Sequence, residues 1–233
     1  MNLINKKMEL MQQMNIQAFD KKGKQLDAFF IGNKFVELNN ARSKSYSLHL
    51  NIRRMQKLVL LTEIYYMQVH KEALIAQDWE DYKYINGLAC CHLYPYISYS
   101  TGEIKLTHKI WYPPYYKISQ EEYEAKIDKK LNEELNLIVE EIYNMTEFVD
   151  SVDLIKILRV DFPVGVSVPE NYAGAGGDFP IDKALIYEKF QNFDFNKLRE
   201  LNELEREKLQ SSDLFGKMIE LKKHEKEKFD LKV

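Results

Sequence analysis

A mainly α-helical fold, organised around one buried helix, is predicted by two features of the sequence. The first is the stretch 51–69, NIRRMQKLVLLTEIYYMQV. Within it Ile52, Met55, Val59, Thr62, Tyr66 and Val69 recur at steps of three and four, so they share one helical face. Leu58, Leu61, Ile64 and Tyr65 widen that face until little of the helix is polar, and such a helix must be covered on several sides. The second is the set Ile127, Leu131, Leu135, Ile138, Ile142 and Met145, again at steps of three and four, with Glu and Lys on the other side. That is a surface helix with one face against the core.

The chain has 233 residues, 45% of them hydrophobic, which suffices for one sizeable core or a core with a small appended unit. The net charge of −3 provides no basic footprint for nucleic acid, and nucleic-acid binding is not expected. No apolar run reaches the length of about 18 residues that a membrane span needs, so no membrane association is expected. The first 14 residues, MNLINKKMELMQQM, lack the apolar stretch and small-residue cleavage site of a signal peptide. The only cysteines are the adjacent Cys90 and Cys91. Neighbouring cysteines conflict with disulfide geometry, and the expectation is a reducing cytoplasm.

Taken in order, residues 1–14 read as a short amphipathic helix with Leu3, Ile4, Met8, Met11 and Met14 as its apolar set. Short apolar runs at 16–19, 26–31 and 35–38 are then separated by turn signals, Asp20-Lys21-Lys22-Gly23 and Gly32-Asn33. They read either as a short β-meander over about 15–38 or as an irregular arm. The central helix follows over about 48–76, with Ser47 or Asn51 as its N-cap. Gly87 breaks the pattern, and residues 88–94 read as a short helix that Pro95 ends. Alternation around Thr101-Gly102 predicts a small β-hairpin over about 96–111, stopped by Pro113-Pro114. Ser119-Gln-Glu-Glu122 is a capping box in front of the surface helix. Ser151 caps a short helix over 151–158. Residues 161–180 concentrate glycine and proline and form the longest irregular stretch, of a kind that is often functional. A helix resumes over 181–190. Residues 194–233 are charge-rich with a thin stripe of Leu198, Leu201, Leu204 and Leu209, and read as one or two exposed helices broken near Ser211-Ser212 or Gly216. The corresponding organisation is an N-terminal extension (1–47), a helical domain (48–193) and a charged C-terminal extension (194–233).

Signals for chemistry are sparse. His49, His70, His92, His108 and His224 have no metal-ligand spacing. Cys90-Cys91-His92 is read as a packed segment, because buried cysteines ordinarily just pack. Gly174-Ala-Gly-Gly177 lacks the ending of a phosphate loop. The many glutamates between Glu121 and Glu141 fall on the solvated face of a helix. Arg53, Arg54 and Lys57 form a basic cluster that is read as solvated or paired with nearby acids. No catalytic residue, cofactor or metal is therefore assigned. Trp79, Tyr82, Tyr84, Tyr94, Trp111 and Tyr115 lie in a dense aromatic segment, and are the candidates for protein binding because such side chains carry contact area at low entropic cost. Ordinary core and hairpin packing is the competing explanation.

The stretch 51–66, NIRRMQKLVLLTEIYY, resembles the opening helix of the Panacea domain, also called the SocA-like antitoxin domain, of phage-associated and toxin–antitoxin proteins. That helix reads as an Asn, a Leu-Gln-Lys-Leu-Leu-Tyr core and an aromatic pair. The aromatic-acidic stretch 79–84, the segment 87–94, the Ser-x-x-Leu helix at 151–158 and Ile181, Ile186 and Phe190 resemble the family's later segments. The resemblance covers about 48–193. The family's Gly-Pro-Val stands here as Gly87-Leu88-Ala89, its His and Trp after the Ser-x-x-Leu helix are missing, and the 96–111 segment is an insertion. The resemblance implies a helical domain without enzymatic activity. It implies a partner protein, a toxin encoded by the adjacent gene, which the domain neutralises or delivers to a protease. A small-molecule enzyme with a lid at 161–180 and a phage or mobile-element structural protein that self-associates into a homo-oligomer stay open as alternatives.

Overall fold

The computed structural model describes residues 25–42, 50–82, 87–90, 93, 110–112, 116–159 and 180–211. Among them the chain forms seven helices, a three-stranded sheet and a two-stranded hairpin, so the fold is mainly α.

Helix α1, Ala28–Arg42, lies within the segment expected to be a meander. Every residue from Ala28 to Val36 is buried, Gly32, Asn33 and Lys34 included. A helix covered all round has no polar face, so its apolar runs carry no helical period and imitate short strands. Asp27 begins it: its Oδ1 accepts from Phe29 N at 2.7 Å, and its own N–H donates to the Tyr123 hydroxyl at 2.8 Å. Just before it, Leu26 pairs in parallel with Ile75.

Helix α2, Ile52–His70, is the predicted central helix, and Asn51 is its N-cap, accepting from Arg54 N. It packs against α1 and against three later helices. It ends at Lys71, a non-glycine residue in the left-handed region (φ 58°), six residues short of the expected end. The apolar residues Ala73, Leu74 and Ile75 continue the pattern but leave the helix. Strand β1, Trp79–Tyr82, follows and pairs antiparallel with β2, Gly87–Ala89. The helix expected over 88–94 is therefore replaced, at its start, by a strand.

The hairpin is present, but as β3, Ile110–Tyr112, paired with β4, Tyr116–Ile118. Its two strands thus lie on either side of Pro113-Pro114, at which the expected hairpin stops. The Thr101-Gly102 turn on which the expected hairpin was centred lies outside the described residues, as does the 1–14 helix. The Ser119 capping box is formed, with both reciprocal bonds. It opens only the five-residue α3, Gln120–Glu124. The surface helix is a separate one, α4, Lys129–Thr146, capped by Asp128. Leu135, Ile138, Ile142 and Met145 are buried as expected, and Ile127 and Leu131 pack at the edge of the core. Helix α5, Ser151–Ile157, is capped by Asp150 rather than Ser151.

Strand β5, Pro180–Ile181, adds to the free side of β1, giving the order β2-β1-β5. Helix α6, Lys183–Phe190, follows at once, capped by Asp182. Helix α7, Phe195–Ser211, packs along α4. Asn202 clamps the two, donating to Asn144 O at 3.0 Å and accepting from Phe148 N at 2.8 Å. One core runs from Leu26 to Leu198 and includes residues of α1, α2, α4, α6 and α7. Among the described residues, no helix is long and apolar enough to cross a membrane.

Candidate functional site

The polar residues of α2 are the most unusual feature of the molecule. Arg54, Gln56, Lys57, Thr62 and Glu63 are all buried on a helix whose apolar residues already face the core. A buried polar group must be hydrogen-bonded or it destabilises the fold. Here most of the partners are backbone groups of other segments.

Arg54 sits where α4 ends. Its Nη1 donates to Val149 O and its Nη2 to Thr146 O and Glu147 O. The last carbonyls of a helix have no partner within it and carry its partial negative charge, so a buried guanidinium is a suitable cap. Burial pulls the Arg54 value down to about 10, which leaves it charged at neutral pH. The expected solvated basic cluster is thus corrected. Arg53 is exposed, but Arg54 and Lys57 point inward, because α4 and β2 offer acceptors there.

Gln56 and Lys57 act on the outer edge of β2. Gln56 Oε1 accepts from Cys90 N, and Gln56 Nε2 donates to Cys90 O, both at 2.8 Å. Lys57 Nζ donates to Leu88 O at 3.0 Å. Residues 88 and 90 therefore find on the helix the partners that a further strand would provide, and the sheet edge is closed. Gln56→Leu is expected to remove both of these bonds, the Cys90 C=O keeping its bond from Leu93 N at 2.9 Å, and to lower stability by about 1–3 kcal/mol, read by urea denaturation.

Glu63 holds the turn after the helix. Its Oε2 accepts from Leu74 N and Ile75 N, both at 2.9 Å. That capture explains why 73–76 leaves the helix. Lys183 Nζ lies 4.0 Å from Glu63 Oε1 and donates to Ile75 O. Burial pushes the Glu63 carboxyl up to about 6 against the opposing pull of Lys183. Further along, Gln68 Nε2 donates to Phe190 O at 2.7 Å and Phe193 O at 3.1 Å. Five side chains of one helix thus terminate or tether four other stretches of backbone.

At the exposed end of α2, His70 Nε2 lies 2.5 Å from Glu134 Oε1 of α4, and the Tyr66 ring stacks on His70 with centroids 4.2 Å apart. Burial, followed by Glu134, raises the Tyr66 phenol. Helical spacing puts Val69 beside these residues and Leu137 beside Glu134, and both are mostly exposed, at 59% and 69%. Val69 was expected on the buried face. It falls instead on the last turn, beyond the residues that cover the helix.

Of the aromatic candidates, Trp79 is fully buried and belongs to the core, because its large apolar ring is packed into the common hydrophobic cluster. Its ring is not available to a partner. Tyr82 and Trp111 lie on β1 and β3. Tyr84, Tyr94 and Tyr115 lie outside the described residues, as do Cys91, His92 and the 161–179 stretch. Among the described residues no group of three or more potential metal ligands occurs. The backbone-binding role of Arg54, Gln56 and Glu63 was missed in the sequence; its signal was polar residues on a helix with no free side to expose them.

Comparison with family models, with curated proteins and with solved structures returns no match.

Proposed function

We propose that this chain is a non-enzymatic protein-binding module of the Panacea, or SocA-like antitoxin, type, which neutralises a partner toxin or presents it to a protease. The observation that carries the reading is the 51–66 motif, NIRRMQKLVLLTEIYY. Its support lies in where those residues sit. The motif is α2, the helix that the rest of the core surrounds. Asn51 caps it, and Gln56 and Lys57 close the β2 edge. A motif whose polar positions hold other backbone segments marks a fold, and these side chains are committed to structure rather than to acid–base chemistry. On this reading the protein acts through its surface in the cytoplasm, and its partner is the product of the adjacent gene.

Co-expression tests it. The neighbouring gene product alone is expected to arrest growth; with this chain present, growth recovers and the two proteins co-purify. A neighbour that is harmless alone, and neither binds nor is neutralised, would sink the proposal.

A further inference from the structure

We propose that Glu63 and Lys183 form a proton-operated latch: uptake of a proton by Glu63 tightens the seating of the 71–77 turn and the start of α6 on the central helix. The proposal does not depend on the toxin-binding reading. Glu63 is wholly out of solvent. One of its oxygens is well satisfied by the N–H groups of Leu74 and Ile75. The other, Oε1, has no hydrogen-bond partner among the described residues. Lys183, at 4.0 Å, is beyond hydrogen-bond reach of it and is bonded to Ile75 O instead. The carboxylate therefore lies at the meeting point of three segments. They are α2 itself, the turn that Leu26 also grips (Leu26 N to Leu74 O, 2.6 Å), and α6, whose approach is set by β5 on β1.

Among the described residues the charged and titratable groups around it are few. Lys183 faces it from α6, Tyr66 bears on it along α2, and Glu72 of the turn bears with it on Tyr66. The turn offers N–H groups, while its Lys71 points to Gln68 O and the Tyr187 ring. Asp27, next to the bridging Leu26, turns its carboxylate to Phe29 N and Gln77. An ionised carboxylate deep in the core, compensated fully on one oxygen only, is relieved by a proton. The proton leaves the two N–H bonds to Oε2 in place.

The sign follows from linkage. The folded value, about 6, is raised above the ordinary 4.5. The folded chain therefore holds this proton more tightly than the unfolded chain does. The group's stabilising contribution is complete below about 4.5 and is lost as the pH rises through about 6. Mild acidification closes the latch.

The experiment is hydrogen exchange of the Leu74 and Ile75 amides by NMR at pH 7 and pH 5, corrected for intrinsic rates. The opening constant is expected to be roughly eightfold smaller at pH 5. Glu63→Gln should bring the ratio to about one, and Lys183→Met, which removes the opposing cation, should enlarge it. The same ratio in the parent and Glu63→Gln proteins would overturn the proposal. A titration of the Glu63 side-chain carboxyl carbon in the unaltered protein needs no variant. A midpoint near 6 supports the latch, and one at or below 4.5 refutes it.

Discussion

Replacing Arg54 with alanine is expected to lower the stability of the fold by about 3–5 kcal/mol, the largest effect expected of the buried polar residues of α2. Three carbonyls accept from this side chain, those of Thr146, Glu147 and Val149, and the Thr146 carbonyl also keeps the bond from Val149 N at 3.0 Å. Each buried carbonyl left without a donor destabilises by about 1–3 kcal/mol, and the lost side chain leaves a void between α2 and the end of α4. Arg54→Met separates the two contributions. It refills much of the volume and still takes the guanidinium donor from the Glu147 and Val149 carbonyls, so it should recover only the packing part. Arg54→Lys should recover little, since one ammonium cannot reproduce the forked geometry of a guanidinium. Urea denaturation at neutral pH measures all three. An alanine variant within about 1 kcal/mol of the parent would mean that water, and not Arg54, completes the end of α4.

Trp79→Ala is expected to cost about 3–5 kcal/mol by opening a cavity in the core. Trp79 is among the largest fully buried side chains, and its Nε1 finds no acceptor among the described residues. Deleting that N–H therefore removes an orphan donor, not a hydrogen bond. Trp79→Phe should accordingly recover more than half of the stability that alanine loses. The measurement also decides the role of the residue. A core anchor lowers the midpoint of unfolding. A binding residue would leave the midpoint in place and weaken only a partner complex.

The helical class and the central helix were legible because periodicity reports burial on one face. Leu135, Ile138, Ile142 and Met145 were read correctly for the same reason, as was the Ser119 capping box, whose two bonds are local. Helix α1 was illegible because it is buried on every side, and a helix without a polar face looks like separate apolar runs. Residues 88–90 were misread because their conformation depends on pairing with β1 and on Gln56 and Lys57, both far away in sequence. Arg54 and Lys57 were misread because charge alone suggests solvent. Only the tertiary structure shows the carbonyls that wait for them.

The sequence by itself determined that this is a mainly helical protein built around residues 51–69, since apolar spacing and capping are local properties. The tertiary structure alone decided where that helix stops and what its polar residues do. Glu63 draws Leu74 and Ile75 out of the helix, Arg54 closes α4, and Gln56 with Lys57 closes a sheet edge. Each is a long-range pairing that exists only once distant backbone groups are brought together and shut off from water, where an unmet hydrogen bond becomes costly.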